Sequence, residues 1–318
     1  MGSAPLRAIN SDCLPRIAWG RFGPATDGRG APHREQELDL FNKNGRPGCD
    51  ASPREKLQRL KEILDGTPRL AVAYSGGTDS AFLAWHAREA LGKEVVPILA
   101  VSALLSARER EAAREAATLS GLLLEEIAMD PLAVPAIREN GPLRCYHCKK
   151  EIMGLVLRRA KELGCTLAAD GSHAEDLQVN RPGRRAIEEL GIASPLAEAG
   201  LAKADIRALS REAGIPTWSR ASQSCLAARV AYGMELTPEL LAAIERAEDI
   251  LWGLGCKQAR VRVHEGLVAR IEVDQDAFGS VMAPKAREAV LDGLLKLGFR
   301  FVSLDLAGFR SGSWDGAS

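Results

Sequence analysis

The sequence predicts an α/β fold in which a parallel sheet is followed by a smaller α+β domain. An apolar run, Leu70 to Tyr74, enters a Gly-Gly turn and leaves it into an amphipathic run. A second apolar run, Val95 to Val101, follows, and the order strand, helix, strand implies a right-handed crossover and a parallel sheet. Further on, two alternating runs joined by a short turn, Gln258 to His264 and Leu267 to Val273, predict paired strands of a second unit.

Length and composition bound the classes of protein to consider. The chain has 318 residues, 46% of them hydrophobic, enough for one large core or two smaller ones. Lys plus Arg and Asp plus Glu both total 42, so no global positive field gathers nucleic acid. No apolar run approaches the roughly 18 residues that a membrane span requires, and no apolar leader opens the chain, so we expect a cytoplasmic protein. Seven cysteines in a reducing compartment favour metal binding or catalysis over disulfides.

The composition of the chain changes at residue 52. The preceding segment is rich in Gly, Pro, Arg and Asp without helical or strand periodicity, which predicts a poorly ordered tail containing Cys13 and Cys49. Ser52 to Glu55 then supplies an N-cap, a proline at the first helical position and an acidic residue at N3, which predicts a helix. The predicted divisions are a tail over 1–52, a parallel-sheet domain over 53–232 and an α+β domain over 233–318.

The remaining elements follow from periodicity and capping signals. The expected helices cover residues 81–91, 107–119, 237–254 and 285–297, and the expected further strands cover 122–127 and 301–306. In open α/β sheets, nucleotides lie across the carboxyl ends of the strands. Val101 and Ser102, which end the second strand, are therefore candidate contacts for adenine and ribose.

The stretch SGGTDS has the composition of a phosphate-binding loop. Gly76 and Gly77 let the backbone approach an anion, while the N–H groups of the next helix point at it. Ser75 and Ser80 add hydroxyl donors, and Asp79 is interpreted as holding a Mg²⁺ that bridges to the phosphates. No lysine follows the glycines, which excludes the Walker loop. The pattern resembles the PP-loop of ATP pyrophosphatases, which leave AMP on a substrate oxygen; an ordinary Gly-Gly turn is the alternative.

The second informative stretch is RCYHCKK, which contains a Cys-x-x-Cys pair, Cys145 and Cys148, at the start of a predicted helix. This placement directs both sulfurs toward one point, and the helix N-terminus and neighbouring lysines are expected to lower their pKa values. The pair fits a redox dithiol, half of a zinc site or part of an iron–sulfur site. Cys225 is a third cysteine in a loop-like context, whereas Cys165 and Cys256 follow Leu-Gly at helix ends and are expected in the core.

Two alternatives to a three-cysteine site remain open at this point. The three cysteines could be unrelated buried thiols. They could also hold zinc with His147 or His173 as the fourth ligand, although His147 lies between the two cysteines and would have trouble reaching the same metal.

A series of motifs, from about residue 55 to the C-terminus, resembles one family in order and spacing. The motifs are SGGTDS, RCYHCKK, DGSHAEDLQVNRPGRRA, SPLAEAGLAKADIRALSREAGIPTW, SCLAARVAYG, AEDILWGLG, RVRVH and ARIEV. Together they resemble the LarE family of ATP-dependent sulfur transferases. The chain departs from the family pattern at Ser172 and His173, where Thr and Asn are expected, and at Ala228, which replaces a serine.

The resemblance implies a reaction. Family members adenylate a carboxylate of a pyridinium dicarboxylate mononucleotide, release pyrophosphate and replace AMP with sulfur, giving thiocarboxylates for the nickel-pincer nucleotide of lactate racemase. In some members the cysteine matching Cys225 gives up its own sulfur and becomes dehydroalanine. In others three cysteines hold a [4Fe–4S] cluster whose fourth iron carries an extra sulfide. Cys145, Cys148 and Cys225 occupy the matching positions, which predicts the cluster type; three thiolates also leave one iron open.

The resemblance assigns further contacts to ATP or to the nucleotide substrate, at Lys149, Asp176, Arg229, Glu248, Arg260, Arg262 and Glu272. Arg229 suits a bidentate anion clamp. Arg260 and Arg262 project from the same face of one strand and suit a substrate phosphate, the alternative being two exposed arginines on a solvated face. The resemblance also implies a homohexamer and, as a partner, a protein that inserts nickel.

Two other functions compete with this interpretation. A PP-loop tRNA thiolase can also carry a three-cysteine cluster, but the neutral charge and the lack of a basic aromatic stripe count against tRNA binding. A non-catalytic iron–sulfur carrier would have no use for SGGTDS.

Overall fold

The computed structural model describes residues 51–177, 182–220 and 224–310. The predicted tail lies outside the described residues except for its last two positions, and Cys13 and Cys49 lie outside them as well. Two sheets organise the described chain, one with four parallel strands and one with three strands. The predicted α/β class, with a parallel sheet followed by a smaller unit, is confirmed.

The helices and strands alternate through the first sheet and then form the second. The helices are α1 (Pro53–Leu64), α2 (Thr78–Leu91), α3 (Ala107–Leu119), α4 (Pro135–Arg138), α5 (Arg144–Glu162), α6 (Pro182–Glu189), α7 (Pro195–Glu198), α8 (Lys203–Glu212), α9 (Pro238–Gly253), α10 (Phe278–Met282) and α11 (Pro284–Lys296). The strands are β1 (Leu70–Ala73), β2 (Val95–Val101), β3 (Glu125–Ala128), β4 (Leu167–Ala169), β5 (Ala259–His264), β6 (Val268–Val273) and β7 (Phe301–Leu304).

The first sheet has the order β3-β2-β1-β4, with β1 paired to both β2 and β4. Both faces of β1 are covered, which explains why its sequence is continuously apolar. Leu70 and Val72 pack into the core that α1, α2 and α8 share, whereas Ala71 packs against α5 on the other face. Because the strands are parallel, their carboxyl ends, which lead into Ser75, Ser102 and Asp170, meet at one edge.

Some helix and strand boundaries in the structure differ from the predicted ones. The helix expected from residue 81 begins at Thr78, because Gly77 in extended conformation already acts as its N-cap. The strand expected over 122–127 is Glu125–Ala128, since only these residues pair with β2, in the register Ile98 to Glu125. The capping signal at the first helix is confirmed, with Ser52 Oγ 3.3 Å from the Glu55 backbone nitrogen.

The second sheet has the order β5-β6-β7 and packs against α9 and α11. Strands β5 and β6 are antiparallel, as predicted, and β7 joins β6 in parallel. The core of this unit includes residues from both sides of position 233, since Leu104, Ile137 and Leu226 pack with Val261 and Leu294. The predicted division at 233 remains a prediction. Among the described helices, none is long and apolar enough to cross a membrane.

Candidate active site

The glycine turn after β1 is fixed by tight packing against α3. Gly76 has a φ of +69°, and a Cβ built on it would lie 2.5 Å from the Ala113 Cβ and 2.6 Å from its Cα. Both observations require glycine at this position. Gly77 has a φ of −75°, so its backbone conformation alone makes no such demand. The turn places the first turn of α2 at the carboxyl edge of the sheet, where its N–H groups are free to bind an anion.

The two serines of the loop hold its shape. Ser80 Oγ lies 3.1 Å from the Ser75 backbone nitrogen, which donates to it, and 3.1 Å from Ser75 Oγ. Thr78 Oγ1 donates to the Thr217 carbonyl at 2.9 Å and fastens α2 to the segment after α8. Opposite the loop, a Cβ on Gly171 would lie 2.9 Å from the Ser80 nitrogen, so the end of β4 packs directly on the helix N-terminus.

Two cations flank the phosphate loop, and neither of them was predicted from the sequence to be a site residue. Lys203 Nζ lies 2.6 and 2.5 Å from the two carboxylate oxygens of Asp79, although the residues are 124 positions apart. Arg220 Nη1 donates to the Gly76 carbonyl at 2.7 Å across 144 positions. The only sequence signal was that Lys203 falls inside one of the family motifs. The predicted role of Asp79 in holding Mg²⁺ remains a prediction.

A cavity of about 990 Å³ opens over the carboxyl edge of the first sheet. The predicted site residues in its lining are Ser75, Gly77, Asp79, Ser80, Ser102, Cys145, Cys148, Lys149, Asp176 and Cys225. Lys203 and Arg220 line it too. The phosphate loop and the three selected cysteines therefore share one cavity, although they come from segments far apart in the sequence.

Two of the three thiols act electrostatically on the third. Burial, and then the proximity of Cys225 and Cys145, raises the pKa of Cys148 to about 12. The expectation that the helix N-terminus and the lysines lower the pKa values is therefore wrong for Cys148, because desolvation and two neighbouring thiols outweigh Lys149 and Arg144. Cys165 and Cys256 are buried at 3% and 4% exposure and pack in hydrophobic cores, as expected.

The described residues contain no group of three or more His, Cys, Asp or Glu side chains arranged to hold a metal ion. Zinc draws its ligands to about 2.0–2.3 Å, so the alternative of zinc with a histidine ligand gains no support. His173 instead lies near carboxylates, with Nδ1 3.1 Å from Glu175 and Nε2 3.2 Å from Asp176. A [4Fe–4S] cluster distributes thiolates over several irons, and three thiols that line one cavity, two of which act electrostatically on the third, fit that donor chemistry.

Asp170, directly after β4, is a buried carboxylate of the cavity wall. It is 2% exposed and accepts hydrogen bonds from Ser172 Oγ at 2.6 Å and Ser194 Oγ at 2.8 Å. Lys149 Nζ lies 3.6 Å from Asp170 Oδ2. Asp170 therefore places Lys149 in the cavity, a role that becomes visible only once β4 and α5 are packed together.

The arginines predicted to bind a substrate phosphate are buried. Arg229, Arg260 and Arg262 are only 3–4% exposed, so the alternative of two exposed arginines on a solvated face is wrong. None of the three belongs to the described lining of the large cavity. Their contact with substrate remains a prediction.

Two carboxylates compensate this group of arginines. Arg229 donates to Glu248 from Nε at 2.9 Å and from Nη2 at 3.2 Å, so its planar fork is engaged by a protein carboxylate. Arg262 Nε lies 3.1 Å from Glu272, which is fully buried. Burial, together with Arg229, lowers the pKa of Arg260 to about 10. Burial therefore disfavours the charged form of this arginine.

The start of α3 lies between the first sheet and the buried arginines Arg229 and Arg260. Glu109 lines the large cavity, and burial raises its pKa against the opposing attraction of Arg229, Arg260 and Arg220. The Ala107 N–H donates to Glu245 of α9 at 2.5 Å. The segment that follows β2, where adenine and ribose were expected, is thereby joined to α9, which also carries Glu248, the partner of Arg229.

Glu198, in the wall of the same cavity, gives a pH-dependent prediction. Burial raises its pKa to about 6 against the opposing Ser194 backbone N–H. Because the folded-state pKa is raised, this group favours the folded state below pH 4.5, and that contribution is lost as pH rises through 6. Glu198→Gln should therefore raise the free energy of unfolding by about 1 kcal/mol at pH 8, after allowance for solvent screening, but not at pH 4. Urea titrations of both proteins at the two pH values measure this; equal differences at both would contradict it.

The strand, the glycine loop and the helix that follows it define the class of protein. An apolar parallel strand runs through SGG into a helix N-terminus, with an aspartate in the first turn and no lysine after the glycines, which is the arrangement of a PP-loop α/β nucleotide-binding protein.

Comparison with known proteins gives the family. No protein-family model matches the chain. The chain is 34% identical over 258 residues to the pyridinium-3,5-bisthiocarboxylic acid mononucleotide synthase of Lactiplantibacillus plantarum, covering 81% of this chain and 92% of that protein. It is 37% identical over 257 residues to an uncharacterized protein of Synechocystis, covering 96% of it, and 29% identical over 260 residues to one of Methanocaldococcus jannaschii, covering 98%. The chain belongs to the LarE family.

Proposed function

We propose that this protein is an ATP-dependent sulfur-insertion enzyme. It adenylates a carboxylate of a pyridinium dicarboxylate mononucleotide, releases pyrophosphate and converts the acyl adenylate to a thiocarboxylate, for synthesis of the nickel-pincer nucleotide. The observation that carries the proposal is that the phosphate loop and three cysteines line one cavity of about 990 Å³. Family membership and the name of the Lactiplantibacillus plantarum relative support the substrate. The homohexamer and the nickel-inserting partner are part of the same proposal.

In the first half-reaction, the chain holds the triphosphate and neutralises its charge. The N–H groups of Gly77 and the first turn of α2 face the phosphates, with the Ser75 and Ser80 hydroxyls beside them. Lys203 and Arg220 supply positive charge on either side of the loop, where the pyrophosphate leaves. Asp79 would hold Mg²⁺, which would stabilise the charge that develops on the departing oxygen.

In the second half-reaction, the chain brings sulfur to the activated carboxylate. Cys145, Cys148 and Cys225 would hold a [4Fe–4S] cluster, which would supply an open iron site for the sulfur to be transferred. AMP is a good leaving group, so the residues need chiefly to orient the acyl carbon toward the cysteine wall and exclude water. Arg260, a buried cation whose pKa burial lowers, would attract the substrate phosphate.

A second candidate is sacrificial donation from Cys225 itself. Cys225 lines the cavity, and Arg229 holds its carbonyl at 3.0 Å from Nη1, so its place in the wall does not depend on the other two thiols. Under this candidate the cysteine ends as dehydroalanine, and each chain acts once.

Iron content with product analysis tests the proposal. Anaerobically purified wild-type protein should contain about four irons and acid-labile sulfides per chain, Cys148→Ala should lose them, and wild type should form pyrophosphate and thiocarboxylate from ATP and the dicarboxylate mononucleotide. Iron-free protein that forms one thiocarboxylate per chain, with a mass loss at Cys225, would select the second candidate. Failure to release pyrophosphate with this substrate would reject both.

A further inference from the structure

Arg144, at the start of α5, is a buried cation that no described carboxylate neutralises. It is 4% exposed. Its donors go to the Asn140 side-chain oxygen, to the Ala227 carbonyl at 2.9 Å and to Cys145 Sγ at 3.6 Å, and its guanidinium lies 5.7 Å from the Tyr232 ring. A buried charge without a counter-charge is strongly unfavourable, so a negative group is expected to face it.

The cysteines supply the negative surroundings. Arg144 Nη2 lies 3.6 Å from Cys145 Sγ, and the Cys225 thiol is also near enough to act on the guanidinium electrostatically. Since metal-bound cysteine is a thiolate, a cysteine site that holds iron would place negative charge next to the guanidinium. Arg144 itself is buried and is not one of the residues that line the cavity.

Asn140 holds the arginine and also reaches the chain after Cys225. It is fully buried, and its φ of +54° is unusual for a residue other than glycine. Its side-chain oxygen accepts from Arg144, while its nitrogen donates to the Ala231 carbonyl at 2.9 Å and, at 3.4 Å, to that of Val230. Both residues therefore connect the helix of the Cys-x-x-Cys pair to the segment 227–231, which follows Cys225 by two to six positions.

We propose that Arg144, oriented by Asn140, is a positioning residue that fastens the Cys225 segment to the Cys-x-x-Cys helix and supplies the positive charge facing the sulfur site. This inference rests on the proposed sulfur function. Three sulfurs from two segments, 77 positions apart between Cys148 and Cys225, stay on one wall only if something fixes the segments to each other. The contact from Arg144 to Ala227 spans 83 positions, and the contact from Asn140 to Ala231 spans 91.

Thiol cross-linking tests the positioning without ATP, iron or substrate. Reduced, cluster-free protein is treated with dibromobimane, and the fraction of Cys225 linked to Cys145 or Cys148 is measured by peptide mass spectrometry. Arg144→Gln should lower this fraction by about fivefold or more, since the segment after Cys225 loses its bond to the guanidinium and Asn140 loses the partner that orients it. Arg158→Gln, which removes an exposed arginine from the same helix, should leave it unchanged. Wild-type linkage in Arg144→Gln would overturn the proposal, whatever the result for the proposed function.

Arg144→Lys separates the effect of the positive charge from that of the hydrogen-bond geometry. It also replaces Arg144→Gln in the cross-linking test if that variant does not fold. Lysine keeps the charge but cannot bond three acceptors in a fixed plane, so linkage should be intermediate. In reconstituted protein, redox titration followed by electron paramagnetic resonance should give a midpoint potential near wild type for Arg144→Lys and a more negative one for Arg144→Gln, because a nearby cation favours the reduced cluster. Full linkage in Arg144→Lys, or a potential that does not move in Arg144→Gln, would overturn the proposal.

Discussion

Replacing Cys225 by alanine should abolish thiocarboxylate formation and leave ATP cleavage to pyrophosphate largely intact. In the two proposed mechanisms Cys225 is a cluster ligand or the sulfur donor itself, so both require its thiol. Loss of a group of this kind lowers turnover by about 1,000-fold or more. The phosphate loop lies on another part of the cavity wall, and the hydrogen bonds that hold it run among Ser75, Ser80, Gly76 and Arg220 rather than to Cys225.

Two assays on the same samples test whether ATP cleavage continues while thiocarboxylate formation is lost. Pyrophosphate release is followed by an enzyme-coupled assay and the thiocarboxylate by mass spectrometry. Cys165→Ala is the matched control, because it removes a thiol that is 3% exposed and packed behind the first sheet, away from the cavity. If Cys225→Ala still produced thiocarboxylate at the wild-type rate, neither candidate sulfur source would survive.

Replacing Gly76 by alanine should remove pyrophosphate release. The added Cβ would lie 2.5 Å from the Ala113 Cβ and 2.6 Å from its backbone Cα, so the loop or α3 must move. The positive φ of +69° adds strain for any residue with a side chain. A displacement of about 1 Å in the groups that hold reacting phosphates lowers the rate by about 100-fold. We therefore expect at least that loss of pyrophosphate release.

Gly66→Ala is a control that separates the effect of the steric clash at Gly76 from the effect of a positive φ. Gly66 follows α1 with a φ of +72°, and nothing lies within 4 Å of the position that a Cβ would take, so this variant carries the strain alone. Its pyrophosphate release should equal that of the wild type, with a loss of about 1 kcal/mol in stability. Circular dichroism confirms that both variants are folded before the assays. Equal activity of the two variants would contradict the argument that the packing of Gly76 on α3 sets the geometry of the loop.

The periodicity of the sequence was sufficient for most of the fold. The runs at 70–74 and 95–101 are apolar because helices cover both faces of β1 and β2, and the alternating runs at 259–264 and 268–273 pair as predicted. Boundaries moved where they depend on partners: β3 begins at Glu125 because β2 pairs with it there, and Gly77 starts α2 earlier than its apolar pattern does. Local patterns describe which face is buried but not where a neighbouring strand ends.

The candidate site, like the fold, was predicted only in part from the sequence. The phosphate loop and the Cys145–Cys148 pair were selected because each is a local pattern with its own chemistry, and Cys225 was selected because it matches a position of the family. Lys203, Arg220, Asp170 and Arg144 were not, since a single lysine, arginine or aspartate has no local signature of its task. Only the packing that places Lys203 on Asp79, or Arg144 beside Cys145, identifies them.

The sequence by itself determined the class of fold, and its resemblance to the family predicted the phosphate loop and the three candidate sulfur ligands, because the order and spacing of motifs can be recognised along the chain. The tertiary structure decided the charges around them. It buried Arg260 and Arg262 beside Glu248 and Glu272, where the sequence left open a solvated face. It also raised the pKa of Cys148, where the local sequence predicted the opposite. The physical reason is that desolvation and charge pairing depend on distances through space, which residues far apart in the sequence establish only when the chain has folded.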